Sequence, residues 1–125
     1  MDRELDVLAR TVYGEARGES ALGKLAVAYV IVNRANRGGW WGNDIIEVCL
    51  CPSQFSMWNT SDPNRIEAMW ASMRNADFVE CYRAAILAAT GVEQDPTEGA
   101  DHYHNLTVSP SWAEGRDYRT IGPGR

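Results

Sequence analysis

From Leu5 the apolar positions Leu5, Leu8, Val12 and Ala16 recur at steps of three and four, the period of a helix with one buried face, which predicts a first helix over 4–17. Gly18 breaks it, and Ser20 is placed to cap a second helix over 22–36. The centre of that helix, Leu25-Ala26-Val27-Ala28-Tyr29-Val30-Ile31-Val32, is apolar nearly all round and belongs in the core. Its β-branched residues would also allow a buried strand, but its length and its ending, with Arg34 and Arg37 before Gly38-Gly39, favour a helix. From Gly39 to Asn64 the text is irregular and reads as one long functional loop, closed by Ser61-Asp62-Pro63 at the start of another helix. Ile66, Met69, Trp70 and Met73 fall on one helical stripe. Asp77 is placed to cap a last helix carrying Val79, Tyr82, Ala85, Ile86 and Ala89, which Gly91 ends. Beyond it, the turn-rich stretch from Asp95 to Asn105 suits a small β-hairpin or irregular β wall. Four helices and this wall make a mainly helical α+β fold.

With 125 residues, the chain is expected to form one domain over 1–125, and 45% apolar against 23% charged residues is a globular composition. The longest apolar run, Leu25 to Val32, is far short of the ~20 residues of a membrane helix, so no membrane insertion is expected. Seventeen acidic against twelve basic residues give a net charge of −5, the reverse of what a nucleic-acid binder needs. The charged start, Met1-Asp2-Arg3-Glu4-Leu5-Asp6, does not resemble a signal peptide, so synthesis in the cytoplasm without one is expected. Cys49, Cys51 and Cys81 are odd in number and give no disulfide framework; they read best as small buried hydrophobes, with a Cys51–Cys81 bridge geometrically open.

Three segments carry polar groups that packing does not need: 14–19, 52–56 and 95–105. Glu15 lies near the C-terminal end of the first helix, one turn after Thr11 and on the flank of the stripe that holds Val12 and Ala16. Partial desolvation and the helix C-terminus would both raise its pKa, as a general acid requires. Spacing alone favours the plainer reading, in which Glu15 and Glu19 are solvated charges at a helix end. His102 and His104 would share a face of a strand, but no third ligand stands at motif spacing, so no metal is assigned. Trp40, Trp41 and Trp58, with Tyr103 and Trp112, could stack on sugar rings or simply pack. No nucleophile elbow, Walker loop, dinucleotide fingerprint or zinc-protease motif is present.

The run Leu8-Ala9-Arg10-Thr11-Val12-Tyr13-Gly14-Glu15-Ala16-Arg17-Gly18-Glu19 is followed by Gly23-Lys24-Leu25-Ala26-Val27-Ala28 and Val30-Ile31-Val32-Asn33-Arg34. Then come Gln54-Phe55-Ser56, Asp95-Pro96-Thr97, Gly99-Ala100, His104-Asn105, Trp112 and Thr120-Ile121-Gly122. In this order the motifs resemble the spore-cortex-lytic type of cell-wall hydrolase across almost the whole chain. The resemblance implies a lysozyme-like domain that cleaves peptidoglycan glycan strands between N-acetylmuramic acid and N-acetylglucosamine, as a monomer and without cofactor. It implies Glu15 as the catalytic acid, which reverses the reading from spacing. A lytic transglycosylase would need only that carboxylate, whereas a muramidase would need a second, for which Glu19, Asp95 and Asp101 are the candidates. Gln54, Ser56, Thr97, Tyr103 and Asn105 are the expected sugar contacts. Pro123-Gly124-Arg125 stands where related sequences carry a histidine and aromatics, so an altered cleft wall is expected. A compact wall hydrolase without a signal peptide fits a phage endolysin released through a holin. A silent wall-binding module and a metal-dependent amidase using His102 and His104 are the other readings.

Overall fold

The computed structural model describes residues 2–51, 55, 58 and 63–100. They form five helices: α1 (Arg3–Ala16), α2 (Ala21–Arg37), α3 (Ile45–Leu50), α4 (Pro63–Trp70) and α5 (Ala76–Thr90). Helix α1 is central, packing along α5 and α2 and touching α3 and α4. Leu8 and Val12 of α1, Ile31 of α2, Val48 of α3 and Phe78 of α5 are sealed from solvent and form one core. Tyr13 meets Phe78 edge-on, with ring centres 5.9 Å apart.

The starts of α1, α2, α3 and α5 are each held by a short polar side chain. Asp2 accepts from the N–H groups of Glu4 and Leu5, and Ser20 from that of Gly23. Asn75, rather than the expected Asp77, caps α5 by accepting from the N–H groups of Asp77 and Phe78. Asp77 sits instead in the first turn, where its charge suits the helix dipole. Gly91 ends α5 in the left-handed conformation.

The expected loop from Gly39 to Asn64 contains α3, a fifth helix. Asp44 accepts from the Glu47 N–H while the Glu47 carboxylate accepts from the Asn43 N–H, both at 2.8 Å, a reciprocal cap that supports six residues. The turn before it requires glycine at position 42, where φ is +131° and a Cβ would come within 2.6 Å of the Glu47 side chain.

No strand occurs among the described residues, so the expected hairpin finds no support. Residues 92–100 turn instead, because the Asp95 carboxylate takes the N–H groups of Thr97 and Gly99 that a strand ladder would use. Positive φ at Glu98 (56°) and Gly99 (88°) bends the chain further. The remainder of the expected wall, 101–105, lies outside the described residues. The stripe expected from Ile66 also departs from its pattern: α4 ends at Trp70, so Met73 lies beyond it, and Ile66, Met69, Trp70 and Met73 are all exposed. Ala68 and Ala71 face inward in their place, small enough for α1 to approach closely.

Candidate active site

Glu15 stands half-buried in the last turn of α1. One turn earlier, on the same side of the helix, Thr11 is fully buried and donates to the Val7 carbonyl at 2.8 Å. Its oxygen in turn accepts from the Trp58 indole N–H at 2.9 Å. That bond ties Trp58, from the segment after α3, to the side of α1 that carries Thr11 and Glu15. Phe55 of the same segment is buried, and the Arg34 guanidinium lies 5.4 Å from its ring and 5.4 Å from that of Trp41. A buried arginine between two rings thus joins α2, the turn before α3 and the segment that follows α3.

A second cluster forms on α2, where Tyr29, Asn33 and Arg37 make one stripe at steps of four. Each donates to the segment after α5. The Tyr29 hydroxyl bonds the Glu93 carbonyl, and burial, together with the Asp95 and Glu93 charges, raises its pKa and keeps it a donor. Asn33 donates to Asp95 Oδ2 at 3.0 Å and to the Ala100 carbonyl at 2.9 Å. Arg37 donates to the Gly99 carbonyl at 2.7 Å.

Asp95 is the hub of that turn. Its Oδ1 accepts from the Thr97 N–H (2.8 Å) and hydroxyl (2.6 Å), and its Oδ2 from Asn33 and the Gly99 N–H (2.9 Å). Burial opposes its charge, but the hydrogen bonds from Thr97, Asn33 and Gly99 outweigh burial and hold the carboxyl below its usual range. Thr97 is buried, and its oxygen also accepts from the Ala100 N–H at 3.1 Å, so its described bonds shape the turn.

Of the expected site residues, Glu15 and Thr97 are among the described residues, as are the candidate carboxylates Glu19 and Asp95. Gln54, Ser56, Tyr103 and Asn105 lie outside the described residues, as do Asp101, His102 and His104. Among the described residues no three His, Cys, Asp or Glu groups gather as metal ligands, and no helix is long and apolar enough to cross a membrane. Trp41 and Trp58 pack inward, while Trp40 is exposed. Tyr29 and Arg37 were legible only as polar groups at helical spacing on a core helix, a signal that motif reading passes over. A groove of about 490 Å³, lined in part by Glu4, Asn36, Asn43, Asp44 and Thr90, opens at the far end of α1. Glu4 and Glu15 are separated by about 16 Å at ~1.5 Å per residue along the helix, so this groove is not the surroundings of Glu15.

The cell wall hydrolase family profile matches residues 18–123. The chain belongs to that family. The match begins three residues after Glu15 and so gives that residue no role by itself. Two relatives, both named spore cortex-lytic enzyme, are each 33% identical to the chain. One is from Halalkalibacterium halodurans, aligned over 118 residues that cover 89% of this chain and 30% of the relative. The other is from Bacillus subtilis, aligned over 116 residues that cover 92% of this chain and 34% of the relative. The chain thus spans about a third of the length of these curated relatives. No solved structure matches it.

Proposed function

We propose that this cell wall hydrolase cleaves the glycan strand of peptidoglycan as a lytic transglycosylase, with Glu15 as its general acid and then base. The observation that carries the reading is the half-buried position of Glu15, one turn beyond the Thr11–Trp58 bond on the same side of α1. Partial shielding from water is a setting that suits a carboxylic acid to proton donation. The protonated Glu15 gives its proton to the glycosidic oxygen, the bond from that oxygen to the muramic C1 breaks, and positive charge develops at C1. The carboxylate then takes the proton of the muramic C6 hydroxyl as its oxygen closes on C1. The product is a 1,6-anhydro end, Glu15 is protonated again, and no water is consumed.

A hydrolytic muramidase would require a second carboxylate about 5 to 9.5 Å from the first. Asp95 is poorly suited to that part, because four donors occupy the four lone-pair positions of its two oxygens. This favours the single-carboxylate route. The test is digestion of purified peptidoglycan by the wild type and by Glu15→Gln, with the soluble products weighed by mass spectrometry. Glu15-dependent products one water lighter than reducing ends are expected. Glu15-dependent reducing ends would establish the muramidase instead, and wall binding without cleavage by either protein would leave a binding module.

A further inference from the structure

Helix α4 turns an apolar face outward: Trp70 is 83% exposed, Ile66 65% and Met69 47%, and Met73, in the turn that follows the helix, is 50% exposed. The helix is firmly fixed in that orientation. Arg10 of α1 donates to the carbonyls of Ala68 (2.7 Å), Met69 (3.1 Å) and Ala71 (2.9 Å), closing the C-terminal end of α4, and Arg17 pairs with Glu67 at 2.8 Å. Ala68 and Ala71 are buried beneath it, so the large side chains have no room to turn inward. Contiguous exposed apolar groups on a fixed element mark a surface that meets something else.

We infer that this face is an accessory docking surface for the neutral glycan strand of the wall, with Trp70 as its stacking platform. The inference rests on the proposed wall substrate, but not on the chemistry assigned to Glu15. A flat, nearly free indole matches the C–H faces of pyranose rings. Four side chains at these exposures present well under the ~800 Å² that each partner of a stable dimer contributes, which disfavours a second copy of the chain. The net charge of −5 disfavours an anionic lipid surface. A polymer has no such requirement, because weak contacts repeated along one strand add through effective concentration. Arg10 and Arg17 are two turns apart on one side of α1, whereas Thr11 and Glu15 share another. The α4 surface therefore lies apart from the Glu15 face and would hold the strand away from the bond being cut.

The experiment is co-sedimentation of Glu15→Gln and of the double variant Glu15→Gln, Trp70→Ala with insoluble peptidoglycan, with circular dichroism as a check on folding. Rates of Trp70→Ala are measured on insoluble wall and on short soluble glycan fragments. The expected result is at least about fivefold weaker wall binding by the double variant, the loss typical of truncating a binding aromatic. Turnover of insoluble wall by Trp70→Ala should slow to match, with short fragments processed as by the wild type. Equal wall binding by the two variants overturns this inference alone, and no wall binding by Glu15→Gln overturns it together with the wall substrate. Trp70-dependent dimers in sedimentation, or Trp70-dependent flotation with phosphatidylglycerol vesicles, would assign the face to those partners instead.

Discussion

A single amide nitrogen, that of Asn33, spans the turn after α5, donating at once to the Asp95 carboxylate at its start and to the Ala100 carbonyl at its end. The chain that leaves Ala100 carries Tyr103 and Asn105, so Asn33 sets where that segment begins. Asn33→Ala removes both bonds from a partly buried site and should cost about 1–3 kcal/mol of stability, measured by urea unfolding. It should also raise KM for the wall more than it lowers kcat, since Glu15 is on another helix. An unchanged midpoint and unchanged kinetics would show that Tyr29 and Arg37 hold the turn without it.

The same carboxylate makes stability depend on pH. Burial acts to raise the Asp95 pKa, but its donors prevail, so the folded value lies below the unfolded one. Such a group stabilises the fold fully above its unfolded value, about 3.9, and that contribution is lost as pH falls through the folded value. Asp95→Asn should therefore be less stable than the wild type at neutral pH, and the gap should narrow on acidification below about pH 4. Thermal melts of both proteins across that range decide it; a gap that widens in acid would mean that Asp95 is not held as an anion.

The helices with a continuous apolar stripe, α1 and α2, follow from the sequence to within a residue or two, because burial and capping point to the same bounds. Helix α3 does not, since six residues are too few for a periodic pattern and its start depends on Asp44 accepting from the Glu47 N–H and Glu47 accepting from the Asn43 N–H. On α4 the apolar stripe gives the right helix and the wrong face, because alanines and the reach of Arg10 decide which side meets α1. The hairpin expectation fails for a related reason. Asp95 folds the backbone around itself, and the partner that completes it, Asn33, is remote in sequence. Glu15 stands out through family resemblance rather than spacing, since a helix-end glutamate is usually a solvated charge.

Among the described residues Lys24 is the least exposed charged side chain, at 3%, with Glu80 at 3.0 Å and Asp77 at 3.8 Å. The carboxylates remain 44% and 62% exposed, so the two sides of this contact are unequal. Lys24→Met should cost less than about 1 kcal/mol, because an apolar chain of similar shape fills the site and the carboxylates rehydrate. Glu80→Gln leaves the buried ammonium with only the distant Asp77 carboxylate and should cost about 1–3 kcal/mol. Denaturant midpoints in the opposite order would mean that the ion pair itself stabilises the fold.

All three cysteines are free thiols, and burial divides them. Burial pushes the Cys49 thiol up to about 12, partly offset by its hydrogen bond with Thr11. The Cys81 thiol is likewise pushed up to about 12 by burial, with Lys24 acting against the rise. Cys51 is only half-buried. At pH 8 a water-soluble disulfide reagent should therefore titrate one thiol of the native protein quickly and the other two only on unfolding, because so few of the buried groups are thiolates. Cys51→Ser should abolish the fast phase and leave the slow one. Fast release of two equivalents would show that the core around Thr11 or Lys24 opens far more often than its packing implies, and a total of one equivalent on unfolding, with two more only after reduction, would reveal a bridge.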